Sequence, residues 1–402
     1  MARSNTNTTY GSVTRSFHWL TALLILTLIP VGIIATDMPY DTSEQLARKA
    51  WLFSLHKTLG VTVFFVALLR ILWALGQTKP TSLHPKRQLE TFAAETVHWL
   101  LSGSLVLVPL SGWVHHAATT GFAPIWWPFG QNLPLVPKSE SLAALTGGLH
   151  WVLGKVMVVS LILHIAGALK HHLVDKDATL RRMVNGAPDL ATLPSARPST
   201  ANPIMTALAL WAIALAGGSG LGVYSGNAQT PAPAAAQLET VTSDWTVQEG
   251  TIGIAVTQFG SSVSGSFANW TANITYDPNL VSGRSGAVEV KIAIGSLTLG
   301  SVTDQAMGPD FFDAQQFETA IFKADLITGV DGFTAEGTLT IKDRTIPLTM
   351  PFILSAVDGV AKMKSNLTLD RRDFGIGDNM PDESSLAFAV AVTIELTATL
   401  GE

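Results

Sequence analysis

Cysteine is absent from all 402 residues. That excludes disulfides, thiolate metal sites, iron–sulfur clusters and thiol nucleophiles together. Charge is scarce as well: Asp, Glu, Lys and Arg make up 14%, where soluble domains average about a quarter, which argues against an ordinary cytosolic protein. Histidine is missing from the last 230 residues, because all ten lie between His18 and His172. Imidazole chemistry therefore belongs to the first half alone. Acidic charge is thin in that half: residues 1–200 carry 16 Lys+Arg against 9 Asp+Glu, and residues 201–402 carry 9 against 21. The basic side chains flank apolar runs and form no continuous stripe, so nucleic acid is not an expected partner.

Long apolar runs are what the first half has instead. Phe17–Thr36 is uncharged and matches the ~20 residues of a bilayer-spanning helix. A second run goes from Trp51 to Gly76, with Lys57 and Arg70 near its ends, where long side chains snorkel. Thr96–Val114, Leu149–Leu169 with Lys155 inside it, and Pro203–Val223 bring the number to five. Lys and Arg concentrate in the N-terminal tail (Arg3, Arg15), between runs two and three (Lys79, Lys86, Arg87) and after run four (Lys170, Lys176, Arg181, Arg182, Arg197). The long loop between runs three and four has only Lys138. The bias predicts a cytoplasmic N-terminus, and an odd number of spans puts the C-terminal half outside. The expected domains are a membrane domain over 1–190, a cytoplasmic linker at 191–202, a fifth transmembrane helix at 203–225, a Pro/Ala linker at 226–237 and a β domain over 238–402. Extended, the linker stretch Asn227–Gln237 reaches ~34 Å. Small residues after run five also resemble a signal-peptide cleavage region; a retained helix is the expectation.

Four histidines fall on these runs at two depths. His150 and His164 share run four and lie 14 residues apart, which is ~21 Å along one helix and within ~40° of one face. That spacing suits two haems stacked across a bilayer, each taking one imidazole from this helix. By depth, His164 pairs with His18 and His150 with His56. Two histidines per iron suit electron transfer, since no axial position stays open. A lone membrane histidine is commonly an interhelical hydrogen bond, but four that pair by depth on three helices are harder to explain that way. Zinc would need its ligands ~2 Å from one ion, and these residues are split between two depths.

FHWL at 17–20, LHKTLG at 55–60, and the spaced His150 and His164 followed by HHLVDKD at 171–177 and LRRM at 180–183 resemble the bacterial cytochrome b561 family over residues 10–185. The resemblance implies a four-helix membrane bundle with two b haems on His18, His56, His150 and His164 that exchanges electrons with quinone. Some members act as superoxide oxidases that reduce ubiquinone. It also implies a multi-pass protein of the bacterial inner membrane. Arg15, Arg70 and Lys155 are candidates to neutralise haem propionates, because an unpaired charge at depth is costly. Glu95, three residues before His98 and on the same face, forms with it a candidate quinone or proton site; a structural hydrogen bond is the plainer account. His115, His116, His171 and His172 are expected at the membrane interfaces. The outer loops offer little positive charge to steer an anionic donor.

After Leu238 the apolar period changes to two. Val288, Val290, Ile292 and Ile294 share one parity, as do Ile346 to Phe352 and Leu386 to Leu396. Such strands fit an antiparallel sandwich or closed barrel. With neither His nor Cys, the half has no catalytic constellation, which points to a binding module. VTQFGSSVSGSF at 256–267, DFFDAQQF at 310–317, GTLTIKDRTIPL at 337–348 and LDRRDFGIG at 369–377 resemble the YceI-like polyisoprenoid-binding family, which implies a periplasmic lipocalin-like antiparallel barrel. The opening strand departs from the usual pattern at Gly253 and Ala255. Phe267, Trp270, Phe311 and Phe312 are candidate linings of a lipid pocket; core packing is the plainer account. Two functions stay open: a di-haem cytochrome moving electrons between a periplasmic donor and ubiquinone with a fused isoprenoid-binding barrel, or a lipid carrier whose cytochrome half is an anchor or redox sensor. Oligomeric state is left open.

Overall fold

The computed structural model describes residues 2–84, 86–119, 123–186, 202–225, 236–238, 243–280, 282–330 and 332–401. Most of the two expected linkers, 191–202 and 226–237, lies outside the described residues. The chain forms two compact units, the first chiefly from residues up to Ala228 and the second chiefly from Gln229–Glu402.

Among the described residues, five helices are long and apolar enough to cross a membrane. Four are α1 (Ser12–Asp37), α2 (Ser43–Leu75), α3 (Gln88–Ala118) and α4 (Glu140–Lys170). They outrun the apolar stretches because polar residues at both ends continue the helical hydrogen bonding beyond the hydrocarbon. Ser139 caps α4, its hydroxyl accepting from the Leu142 N–H at 3.3 Å. Ile25 and Leu28 of α1, Val63 of α2, Leu105 of α3 and Leu153 of α4 meet in one buried core. After α4 a single π turn, His171–Asp175, and a left-handed Lys176 (φ 51°) end the helix; the short α5 (Thr179–Val184) follows.

The fifth, α6 (Pro203–Gly220), starts with Asn202 capping and Pro203 in the first turn, the order that satisfies N-terminal N–H groups without wasting one. It packs on α3 and α4 through small residues. A Cβ on Gly103 of α3 would lie 2.1 Å from the Trp211 ring, and one on Gly218 would lie 2.8 Å from Val152 Cγ2 of α4. Glycine at such contacts lets helices approach where no hydrophobic force between helices exists in lipid.

The second unit is one ten-stranded antiparallel sheet in the order β3-β4-β6-β7-β8-β9-β10-β1-β2-β5. The strands are β1 (Trp245–Gln258), β2 (Ser261–Phe267), β3 (Trp270–Tyr276), β4 (Gly283–Ala293), β5 (Leu297–Thr298), β6 (Thr319–Gly329), β7 (Gly332–Ile341), β8 (Arg344–Val357), β9 (Val360–Asp370) and β10 (Leu386–Leu400), with a short α7 (Thr303–Met307) between β5 and β6. The sheet curls into an open barrel. β1 and β3 meet without a ladder: Trp245 Nε1 donates to Tyr276 O at 3.0 Å, and the Ile274 N–H donates to Ser243 Oγ at 2.7 Å. The parity read from the sequence faces inward. Phe388 is the exception on β10. The irregularity between Val256 and Gln258 in the β1–β10 pairing sits beside it, and its ring stacks 3.9 Å from the Arg372 guanidinium. Gly253 and Ala255 lie on the outward parity of β1, between the inward Ile252, Ile254 and Val256, so their small size leaves the interior unchanged.

Candidate functional site

The bundle brings the four histidines together as two pairs, termed inner and outer after the expected topology. The His18 and His164 rings, from α1 and α4, have centroids 6.1 Å apart; those of His56 and His150, from α2 and α4, are 6.3 Å apart. Two imidazoles on opposite sides of one metal, each with a ring nitrogen ~2 Å from it, put their centroids ~6 Å apart, so both pairs have the spacing of two axial ligands on one iron. His98 lies closer to His164, at 5.1 Å, which is short for that opposed arrangement.

The outer pair is held by a repeated local device. His56 Nδ1 donates to the Leu28 carbonyl at 3.0 Å, and His150 Nδ1 donates to the Val108 carbonyl at 2.8 Å. A carbonyl can only accept, so the proton is on Nδ1 and the Nε2 lone pair is left for a metal, the arrangement that fixes tautomer and ring orientation. Each carbonyl is exposed sideways because a glycine stands four residues on. A Cβ on Gly32 would lie 2.8 Å from His56 Cε1, and one on Gly112 would lie 2.8 Å from His150 Nδ1. His115 uses the same device, with Ala143 O at 2.7 Å and Gly147 beneath its ring. The device alone therefore marks an oriented histidine; the facing partner is what distinguishes His56 and His150.

The candidate cations divide. Arg70, half-buried on α2, acts electrostatically on His18, His98 and His164, and among the described residues it has neither hydrogen bond nor ion pair. Arg15 is buried at the start of α1, its Nη1 donating to Val184 O at 2.9 Å. Lys155 is on the exposed side of α4, with Nζ 5.2 Å from the Trp151 ring. The Trp151 ring is the partner it meets, and the structure does not bring it to the histidines. Lys57, expected from the sequence to snorkel, is instead buried directly after His56 and acts on His115 and His116. Glu95 Oε1 accepts from Lys79 Nζ at 2.7 Å.

Sequence reasoning assigned nothing to His84. At the cytoplasmic end expected for α4, His84 Nε2 and His171 Nδ1 both reach Asp177 Oδ2, at 2.8 and 2.6 Å. Asp175 takes Arg87 at 3.1 Å and Lys170 at 2.9 Å, and Lys170 also bonds Glu90. Burial works to raise the Asp177 carboxyl, but hydrogen bonds from Thr179, His84 and His171 prevail and hold it down at about 2. The network ties the loop before α3 to the turn after α4.

In the second unit, Phe267, Trp270, Phe311 and Phe312 all line an interior cavity of about 250 Å³.

Comparison with known proteins matches residues 9–186 to the family model for prokaryotic cytochrome b561 and residues 244–399 to the YceI-like domain. Cytochrome b561 homolog 2 of Escherichia coli K12 is 30% identical over 189 residues, 46% of this chain and 95% of that protein. The chain belongs to the prokaryotic cytochrome b561 family. Membership implies haem b binding, and the protein is a multi-pass bacterial membrane protein in which a cytochrome b561 bundle precedes a YceI-like domain. The cytochrome b561 bundle is also 24% identical over 176 residues to the Yersinia pestis protein named probable superoxide oxidase CybB, covering 44% of this chain and 95% of that one. The YceI-like domain is similar to the crystal structure of Burkholderia cenocepacia BcnA, at 25% identity and a TM-score of 0.35, covering 37% of this chain and 96% of that one.

Proposed function

We propose that this cytochrome b561 is a di-haem quinone-linked electron carrier, with His18 and His164 holding one b haem and His56 and His150 the other. The observation that carries it is the outer pair: two rings 6.3 Å apart, both with Nδ1 engaged and Nε2 free. When bound, haem b supplies a reversible one-electron ferric/ferrous couple. The chain's own residues orient and neutralise. Leu28 O and Val108 O fix the outer rings, Arg70 and Arg15 balance propionates at the inner end, and Lys57 supplies the positive charge that the outer loops lack. Glu95 and His98 form the inner quinone and proton site, with Lys79 holding the Glu95 carboxylate.

Ubiquinone is the proposed acceptor, taking two electrons and two protons per turnover. Superoxide is the proposed donor, two per ubiquinone, each giving one electron and leaving as dioxygen; the similarity to the Yersinia protein named probable superoxide oxidase and Lys57 support it. The N-terminus is cytoplasmic, α6 is retained in the membrane, and the YceI-like barrel is periplasmic, holding the isoprenoid tail of a quinone. A second reading, a lipid carrier anchored by the cytochrome, is favoured only by the cavity; two facing histidine pairs, the outer one held by backbone carbonyls, exceed what an anchor needs. The test is single His→Ala replacement of the four residues with haem quantified per polypeptide. Loss of one haem from each replacement is expected; retention in His56→Ala with loss in His98→Ala would reject the assignment.

A further inference from the structure

Three long polar side chains reach the barrel cavity: Gln258, Gln305 and Arg371. They gather at one end. Gln258 closes β1 opposite Leu386, and Arg371 Nη2 donates to Leu386 O at 3.2 Å. The segment after Arg371 is tied to the segment carrying Gln305 by the Gly377 N–H, which donates to Asp310 O at 2.7 Å. Arg371 spends its donors on backbone carbonyls of Ala387, Ile376, Gly377, Met380 and Leu386.

The glutamines are different. Gln258 is only 4% exposed, and its Oε1 is buried without a hydrogen-bond partner; Gln305 Nε2 is buried in the same condition. Among the described residues neither side-chain amide makes a hydrogen bond. An unpaired buried amide costs free energy that an apolar side chain of similar size would avoid. Two of them at one end of an otherwise apolar cavity mark a place where a ligand brings the missing partners.

We propose that this end of the cavity binds the neutral oxygen-bearing head of an isoprenoid lipid, a quinone carbonyl or quinol hydroxyl, while the tail runs along the apolar wall. The inference rests on the barrel reading above and adds the head group to it. An amide NH₂ donates to a carbonyl and an amide oxygen accepts from a hydroxyl, so the same two side chains hold the oxidised and the reduced head. A phosphate head needs a cation with free donors, and Arg371 has spent its own. A pure hydrocarbon leaves both amides unpaired.

The experiment measures binding of ubiquinone-10, squalene and undecaprenyl phosphate to the full chain in detergent, for the parent, Gln258→Leu and Gln305→Leu. Squalene, which has no head, reports whether the cavity itself is intact. Each replacement is expected to weaken ubiquinone binding about tenfold and to leave squalene binding unchanged or tighter. Unchanged ubiquinone binding in both variants, a parallel fall for squalene, or tighter binding of undecaprenyl phosphate than of ubiquinone by the parent would overturn the head-group assignment. Failure of squalene and ubiquinone alike to bind the parent would overturn the barrel reading itself.

Discussion

His56 and His150 owe their orientation to glycines on neighbouring helices, and this makes Gly32 and Gly112 sensitive positions. Alanine at either would put a Cβ 2.8 Å from an imidazole atom, and the ring would have to turn off its carbonyl. Gly32→Ala and Gly112→Ala are expected to lose or spectrally shift the proposed outer haem, read from reduced-minus-oxidised spectra, while the proposed inner centre stays unchanged. Asp177 gives a second prediction. Its carboxyl sits at about 2, below an unfolded value of ~3.9. A depressed folded value means stability that is complete above the unfolded value and is lost as pH falls from ~4 to ~2. Thermal midpoints of the parent are expected to drop through that window more steeply than those of Asp177→Asn. The pairing of histidines by depth was legible because helical rise converts spacing directly into distance. The carbonyl partners were not, since they depend on the rotation of one helix against another. Lys155 shows the same limit: its depth suited a haem, but its face of α4 points outward, whereas Lys57 beside His56 is buried.

The helices and strands themselves were legible as periods. Runs of about twenty apolar residues became five helices, and alternating parity became inward-facing strands. What had to come from the structure was nonlocal pairing: the seam between β1 and β3, and the displacement of Phe388 at the irregular end of β10. The seat of α6 was equally hidden, because Gly103 looks like any membrane glycine until Trp211 is found 2.1 Å from where its Cβ would be. Gly103→Ala is expected to weaken the α3–α6 contact by about 1–3 kcal/mol, the range for overpacking. Truncating Trp211 to Leu in the same chain should recover most of it. A double-mutant cycle in detergent unfolding measures the coupling; additive losses would show that the two residues do not press on each other.

For the whole molecule, the proposed topology, a cytoplasmic N-terminus followed by five spans, predicts that protease added to intact spheroplasts removes the barrel and leaves the haem-bearing bundle in the membrane. A protected barrel would refute the five-span topology. The two family resemblances were visible in the sequence because short motifs occur in order along each half. The joint purpose of the halves was not, since it depends on what the barrel holds. The account stands most directly on the number of haems that four histidines carry. The deciding measurement is the ratio of haem b to polypeptide in the purified full chain, compared with His56→Ala and His18→Ala. The account predicts a ratio of two for the parent and one for each variant. A parent ratio of one, or a ratio of two that survives both replacements, would contradict it.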